Sequence, residues 1–397
     1  MDFTFTEEQQ AAVEAARAVF SSVAPDHVPS PALTPGAVAE DIDRTLWAGL
    51  ADTDLLSLTL SPEYGGAGLD PVALCLVLRE AAKVLARVPL LESCAVAMAL
   101  QRHGDRALAA ELLPGFGRGE LVLTVGANGR TGHDPAELAV TASRDTAHRG
   151  SEGTGSEGTG PGAGNASGWV LDGMQSGVPW AQVADWIAVP AHTGEGRSVL
   201  ALVRRGHDGV TLAEQVSTSG ERFAEVRLDA VRIDDRELID APGAWDWLRS
   251  LLTTGTCALA LGLGERVLSM TSEYTGKREQ FGFPVATFQA VAMQAADRYI
   301  DLRAMEVTLW QAAWRISTEA GGALPAEGDI AVAKIWASDG VRRIVQTAQH
   351  LHGGFGADTD YPLHRYHAWA KQIELSLGPA AAHEEALGDL LAAHPLG

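Results

Sequence analysis

Cysteine is nearly absent: Cys75, Cys94 and Cys257 are the three in 397 residues, and they lie far apart. That excludes a disulfide framework and a cysteine-based zinc site. Each sits in an apolar, helix-like stretch, where a small buried hydrophobe is expected. Basic residues are also short, with Lys and Arg totalling 30 against 51 Asp and Glu, a formal charge of −21. Nucleic acid and anionic membranes are therefore excluded as the main partner, although a local basic site for a phosphate is not. No uncharged apolar run reaches about 18 residues, so no membrane span is expected. The opening MDFTFTEEQQ is acidic and has no apolar h-region, so no signal peptide is expected and the cytoplasm is the expected location. What remains is ordinary for a globular chain: 46% hydrophobic, 20% charged, and long enough for two or three domains.

The periodicity changes twice along the chain. Thr6 followed by Glu7 and Glu8 reads as a helix start, with apolar residues at helical spacing to Phe20. Further helices are expected over 39–52, 71–86 and 89–102, separated by a proline-rich break and by Ser61-Pro-Glu-Tyr-Gly-Gly-Ala-Gly-Leu-Asp70. Short β-branched runs then follow at 121–125, 137–141, 169–171, 186–189, 199–203 and 225–228, with no helix-length segment between them. That predicts an antiparallel barrel or sandwich. Helices return over 244–273, 286–318, 327–350 and 366–391. The organisation expected is mostly α with a central β domain: a helical domain at 1–118, a β domain at 119–242 and a helical bundle at 243–397. Within the β domain, 150–168 holds 8 glycines in 19 residues, which predicts a disordered Gly-rich loop bounded at 143–168.

Two segments carry chemistry. Arg278-Glu-Gln-Phe-Gly-Phe-Pro-Val-Ala-Thr-Phe-Gln289 joins two long helices. An arginine fork and a glutamine amide at this spacing suit a dinucleotide, and a solvated helix end with a Phe-Gly turn fits equally well. Gln349-His-Leu-His-Gly-Gly-Phe-Gly356 ends the next helix. Its paired glycines can bring backbone N–H groups to a phosphate, or can simply cap the helix. His350, His352, His364 and His367 lack an Asp or Glu at metal-ligand spacing, so no metal site is expected.

Together these segments resemble the acyl-CoA dehydrogenase family, nearly end to end. Ser61–Asp70 is similar to the family's "PEEYGGLGLD" turn. Arg278, Phe281 and Gly282 spell its R-x-x-F-G, Phe288-Gln289 its F-Q, His352-Gly-Gly-Phe-Gly356 its H-G-G-x-G and Tyr361-Pro362 its Y-P. The resemblance implies the family fold: an N-terminal helical domain, a β barrel or sandwich and a C-terminal four-helix bundle. It also implies FAD as cofactor and oxidation of acyl-CoA thioesters to 2,3-enoyl-CoA. In that chemistry a glutamate removes the α-proton and flavin takes a hydride from the β-carbon.

Measured against the family pattern, this chain keeps one half of the machinery and lacks the other. The glutamate position after Y-P falls on Leu377, and the alternative base position before R-x-x-F-G falls on Leu252. Leucine accepts no proton, and Glu374 is the nearest acid. The first flavin loop is replaced by Thr124–Asp134. The second has Gly177 and Pro179 where the family has an aromatic and a Thr or Ser, with Trp180 beside them. In the family's tetramers each FAD is shared, and the neighbouring subunit donates the R-x-x-F-G, F-Q and Q-x-x-G-G groups. Here the donated half is present as Arg278, Phe281, Gln289, Gln349, His350, Gly353 and Gly354, with His350 at the family glutamine and Gln349 adjacent. The resemblance therefore implies no catalytic residue of its own. It implies a non-catalytic subunit that completes the FAD site of a homologous catalytic chain in an α2β2 heterotetramer. Acyl-CoA would be bound mainly by that partner, and the loop Val178-Pro-Trp-Ala resembles that of actinobacterial steroid side-chain dehydrogenases. The alternatives are a self-sufficient enzyme using Glu374 and a flavin-dependent monooxygenase on the same fold.

Overall fold

The computed structural model describes residues 4–25, 36–39, 42–132, 137–145 and 168–395. Helix α1 (Glu7–Phe20) starts where expected, because Thr6 and Gln9 cap it reciprocally: each side chain accepts the other's backbone N–H. Helices α2 (Arg44–Asp52), α3 (Pro71–Lys83) and α4 (Leu90–His103) follow. Asp43 and Asp70 accept backbone N–H groups at the starts of α2 and α3. Helix α5 (Arg106–Gly117) was not expected, since Pro114 and two glycines interrupt its pattern; Asp105 caps its start. Helices α3 and α4 are buried on nearly every face, which marks them as core. The three cysteines are free and buried, as their surroundings imply.

The strands are β1 (Leu123–Val125), β2 (Val140–Arg144), β3 (Gly168–Pro179), β4 (Trp186–Thr193), β5 (Ser198–Arg204), β6 (Val210–Val216), β7 (Arg222–Asp234) and β8 (Leu238–Ile239). They form one sheet in the order β6-β7-β3-β2-β4-β5-β8, with β1 beside β4. The sheet is mixed, not purely antiparallel: β4 runs parallel to both β1 and β2. Long connections allow such pairings, and an alternating strand pattern carries no sign of them. The Gly-rich loop expected over 143–168 is shorter at its ends, because Ser143 and Arg144 belong to β2 and Gly168 begins β3. Residues 146–167 lie outside the described residues.

Helix α6 (Ala244–Lys277) is the axis of the molecule, contacting α3, α4, α7 (Gln289–Thr318), α8 (Ala326–His352) and α9 (Leu363–Leu375). It is long and apolar enough to cross a membrane, but 78% of its apolar window is buried inside the protein. The single helix expected over 366–391 is two helices, α9 and α10 (Ala380–Ala393). Leu377 and Gly378 are left-handed, with φ of 59° and 96°, and Pro379 follows, so no helix can run through. Lys334, buried in α8, holds the end of α9: its ammonium donates to Ile373 O (3.2 Å), Glu374 O (3.1 Å) and Ser338 Oγ (2.9 Å). Burial pushes that ammonium down to about 8.

Candidate functional site

An apolar cavity of about 120 Å³ opens where four parts of the chain meet. Leu78–Leu91 of α3, α4 and their connection form one wall. The loops around Val125–Asn128 and Pro179–Trp180 form a second, α6 a third, and the end of α9 a fourth. The walls are fixed locally. Ser93 on α4 donates to Leu123 O of β1 (2.5 Å), Tyr366 on α9 donates to Lys83 O (2.7 Å), and Ser219 donates to Gln372 Oε1 (2.5 Å).

Both positions at which the resemblance would put a base line this cavity. Leu252 comes from α6 and Leu377 from the turn after α9, and both are buried. Glu374 does not line it; its carboxylate pairs with Lys371 (3.0 Å) and Arg342 (3.7 Å). The loop groups that the resemblance would place beside a flavin ring are engaged within the chain. The Gly177 N–H already donates to Gln215 Oε1 (2.8 Å), the Gly177 carbonyl accepts from Asn128 Nδ2 (3.2 Å), and the Pro179 carbonyl accepts from Thr124 Oγ1 (2.6 Å). Proline has no N–H, so this loop keeps no free donor at those positions for an isoalloxazine edge. Trp180 takes a left-handed backbone, φ 58°, and its indole engages Glu92.

Glu92 is the site residue that motif reading missed. It is a lone acid in the apolar run Leu90–Leu100, and that isolation was the available signal. Part of its surface faces the cavity instead of bulk water. Burial pushes its carboxyl up to about 7, against the pull of its own backbone N–H and of Trp180. Between 4.5, its unperturbed value, and about 7, the folded chain keeps a proton that the unfolded chain releases. Stability therefore falls as pH rises through that window. Glu92→Gln removes the penalty and still accepts the indole N–H. The variant is expected to be more stable than wild type by at most about 3 kcal/mol near pH 8, with the gap closing toward acid pH. Urea denaturation of both proteins across this range checks it, and a pH-independent gap would refute the assignment.

The other sequence-identified residues gather on a different surface. Arg278 caps α6, and a two-residue hairpin follows, β9 (Glu279–Gln280) with β10 (Phe283–Pro284). Its turn residues Phe281 and Gly282 have φ of 55° and 82°, a primed turn that normally favours Asn-Gly. Phe281 is 91% exposed and touches Phe288 only edge-on, at 6.4 Å. Gln289 is exposed at the start of α7. Tyr274, one turn before Arg278, stacks on Phe355 (5.2 Å) and His352 (4.5 Å) and so joins this segment to the end of α8. His352 Nδ1 donates to Ala348 O (2.8 Å), leaving Nε2 to accept from the Tyr361 hydroxyl (3.1 Å). Gly353 and Gly354 are exposed, and a Cβ on either would meet nothing within 4 Å, so their backbone is open to a ligand. His350 is exposed, whereas the Gln349 amide donates weakly to Gly353 O (3.4 Å).

Arg278 has no ion-pair partner among the described residues, in a chain where most arginines are paired. An unpaired guanidinium, an open glycine backbone and an exposed aromatic fit a pyrophosphate and an adenosine. The cavity's own loops do not fit a flavin ring. Leu252 and Arg278 are 26 positions apart along α6, about 39 Å at 1.5 Å per residue.

Comparison with known proteins gives matches over most of the chain. The family description "Acyl-CoA dehydrogenase, N-terminal domain" matches residues 6–120, and "Acyl-CoA dehydrogenase, C-terminal domain" matches residues 253–391. The acyl-CoA dehydrogenase FadE27 of Mycobacterium tuberculosis is 35% identical over 362 residues, covering 89% of each chain. Among solved structures, the ChsE4-ChsE5 complex of Mycobacterium tuberculosis matches with a TM-score of 0.86, 34% identity and complete coverage of both chains. A structure described as the Tcur3481-Tcur3483 steroid ACAD matches with a TM-score of 0.83 and 36% identity, covering 98% of each chain.

Proposed function

Because this chain belongs to the acyl-CoA dehydrogenase family, oxidoreductases acting on CH–CH bonds, we propose that it is the non-catalytic subunit of a heteromeric member. In this reading Arg278, Phe281, Gln289, Gly353 and Gly354 complete an FAD site whose ring-and-base half lies on a homologous partner chain. Gln349 and His350 border the same surface. The observation that carries the reading is the separation along α6. The base position Leu252 and the pyrophosphate-type group Arg278 are about 39 Å apart, far beyond the reach of a ribityl arm, so they serve different sites.

Exposure supports the same reading. Beside the 91% exposed Phe281, helix α7 presents Met293, Ile300 and Val307, seven residues apart and 60%, 63% and 49% exposed. An apolar stripe of this kind marks a protein contact. When bound, FAD supplies the electron acceptor for α,β-dehydrogenation of an acyl thioester. This chain contributes charge, stacking and backbone donors, and the proton acceptor comes from the partner. A steroid side-chain CoA ester is the substrate class, by likeness to the relative whose description names a steroid dehydrogenase. The working assembly is an α2β2 heterotetramer in the cytoplasm.

A self-sufficient enzyme would need a base at the positions of Leu252 or Leu377, and Glu374, the acid nearest them in sequence, pairs with cations outside the cavity. A monooxygenase would need the flavin ring held in this chain, where Gly177 and Pro179 offer nothing to hold it. The test is co-purification with a homologous acyl-CoA dehydrogenase chain of the same organism. The expected result is little FAD and no turnover for the isolated chain, and a yellow complex with one FAD per two chains. Full flavin occupancy and turnover by the isolated chain would overturn the proposal.

A further inference from the structure

Arg266 and Arg278 are the two arginines among the described residues whose side chains make neither an ion pair nor a hydrogen bond within the chain. Arg278 is exposed, but Arg266 is partly buried, and a guanidinium held out of water without a carboxylate is costly. The chain offers it none. Three and four positions away on α6 stand Gly262, Leu263, Ser269 and Met270, so no pair forms along the helix. Its neighbour Glu265 is taken by Arg79 and by Lys83 (3.1 Å), and Glu273 accepts from Ser269 Oγ (3.2 Å). Arg266 is close enough to Tyr361 to act electrostatically on its hydroxyl. The acids of the same connection, Asp358 and Asp360, make no pair with it, and Asp358 accepts from the Asp360 N–H (3.0 Å). With 51 acids against 30 bases in the chain, the missing carboxylate does not reflect a short supply.

FAD at the proposed site cannot supply the anion either. Its one anionic group is the pyrophosphate, assigned above to Arg278. Arg266 lies 12 positions earlier on α6, about 18 Å at 1.5 Å per residue. Tyr361 nevertheless ties Arg266 to the surface that the partner covers in this reading. Its hydroxyl donates to His352 Nε2 (3.1 Å) and its ring packs on Phe355 (4.6 Å), next to the open Gly353 and Gly354.

We propose that Arg266 is a partner-recognition residue, whose guanidinium donates to an aspartate or glutamate side chain of the homologous catalytic chain. The ion pair exists only in the heteromer. A partly desolvated arginine with its fork unused suits a bidentate carboxylate, and it repels a lysine or arginine at the facing position. Because both charges lose water as the surfaces close, the pair acts mainly by slowing dissociation. The inference rests on the non-catalytic-subunit reading and extends it from a shared cofactor to a means of selecting the partner.

The test is subunit exchange. The full-length chain, carrying a fluorophore at its amino terminus, is assembled with a homologous acyl-CoA dehydrogenase chain of the same organism. Its release into excess unlabelled chain is followed by fluorescence anisotropy. Arg266→Gln is expected to leave the complex about 10- to 100-fold faster than wild type, with Arg266→Lys between the two. Salt should speed the release of wild type between about 50 and about 500 mM NaCl, and speed that of Arg266→Gln less. The isolated Arg266→Gln chain should melt with wild type, since nothing in the chain pairs with the guanidinium. Equal release rates for the two proteins would overturn the proposal. So would a wild-type release rate indifferent to salt, an arm that depends on no variant folding. A raised acyl-CoA KM with unchanged release would overturn it too, by assigning the anion to the phosphates of coenzyme A. Failure of the wild-type chains to assemble defeats the subunit reading itself, whereas assembly that ignores Arg266 defeats the inference alone.

Discussion

Arg278→Ala, in the complex of this chain with its homologous partner, is expected to weaken FAD retention roughly 10- to 100-fold. The side chain is exposed and makes no ion pair among the described residues, so its removal breaks nothing in the fold. Its backbone, by contrast, is engaged at both ends: Arg278 N–H donates to Tyr274 O (2.8 Å) and Val285 N–H donates to Arg278 O (2.7 Å). The guanidinium is thus aimed outward from a fixed base, in a chain of formal charge −21 that would otherwise repel a pyrophosphate. A bidentate arginine-phosphate pair is worth more than a point charge, so Arg278→Lys should fall between alanine and wild type. Fluorescence titration of FAD into the deflavinated complex measures this. The melting temperature should be unchanged when the comparison is made without FAD. Unchanged FAD affinity both in the alanine variant and in one that also replaces the neighbouring Lys277 by alanine would remove the donated-half reading.

How much of this was legible beforehand depended on whether the signal was local. The helix start at Thr6 and the turn at Phe281-Gly282 depend on neighbouring residues and were legible, whereas the short hairpin built on that turn was not. That leucines stand at the two positions where the resemblance puts a base was also readable, as Leu252 and Leu377. That the two line one cavity follows only from the packing of α9 against α6, with Lys334 fixing the end of α9. The break between α9 and α10 was written in Gly378-Pro379, yet the apolar spacing on either side concealed it. Parallel pairing of β4 with β1 and β2 was illegible, since strand direction leaves no trace in an alternating pattern. Glu92 and Trp369 joined the site only when distant segments met. The distance between Leu252 and Arg278 along α6 needed just the helix itself, once both were known to sit on it.

Gly262→Ala is expected to destabilise the chain by about 3 kcal/mol or more, the upper end for overpacking, because the obstacle is backbone. Gly262 lies on α6 where it crosses α3. A Cβ there would overlap the Arg79 carbonyl oxygen and come within 2.8 Å of its carbon and 3.0 Å of its Cα. No rotamer change can relieve that contact, so the helices must separate. Separation would disturb the ion pairs of Glu265 with Arg79 and with Lys83 (3.1 Å) at the same crossing. It would also move Leu78 and Ala82 away from Leu259 and Leu263, opening the cavity wall. Two other glycines of the same helix supply the comparison. At Gly264 the added Cβ would meet only side-chain ends, Ile344 Cδ1 at 3.1 Å and Leu302 Cδ1 at 3.3 Å, which can give way. At Gly276 it would meet nothing within 4 Å, so alanine there should stabilise by about 0.5–1 kcal/mol through helix propensity alone. Denaturant midpoints should therefore rank Gly276→Ala above wild type, Gly264→Ala near it and Gly262→Ala far below. If all three shifted alike, propensity would be governing the helix, and the close crossing of α6 with α3 would not be what shapes the cavity.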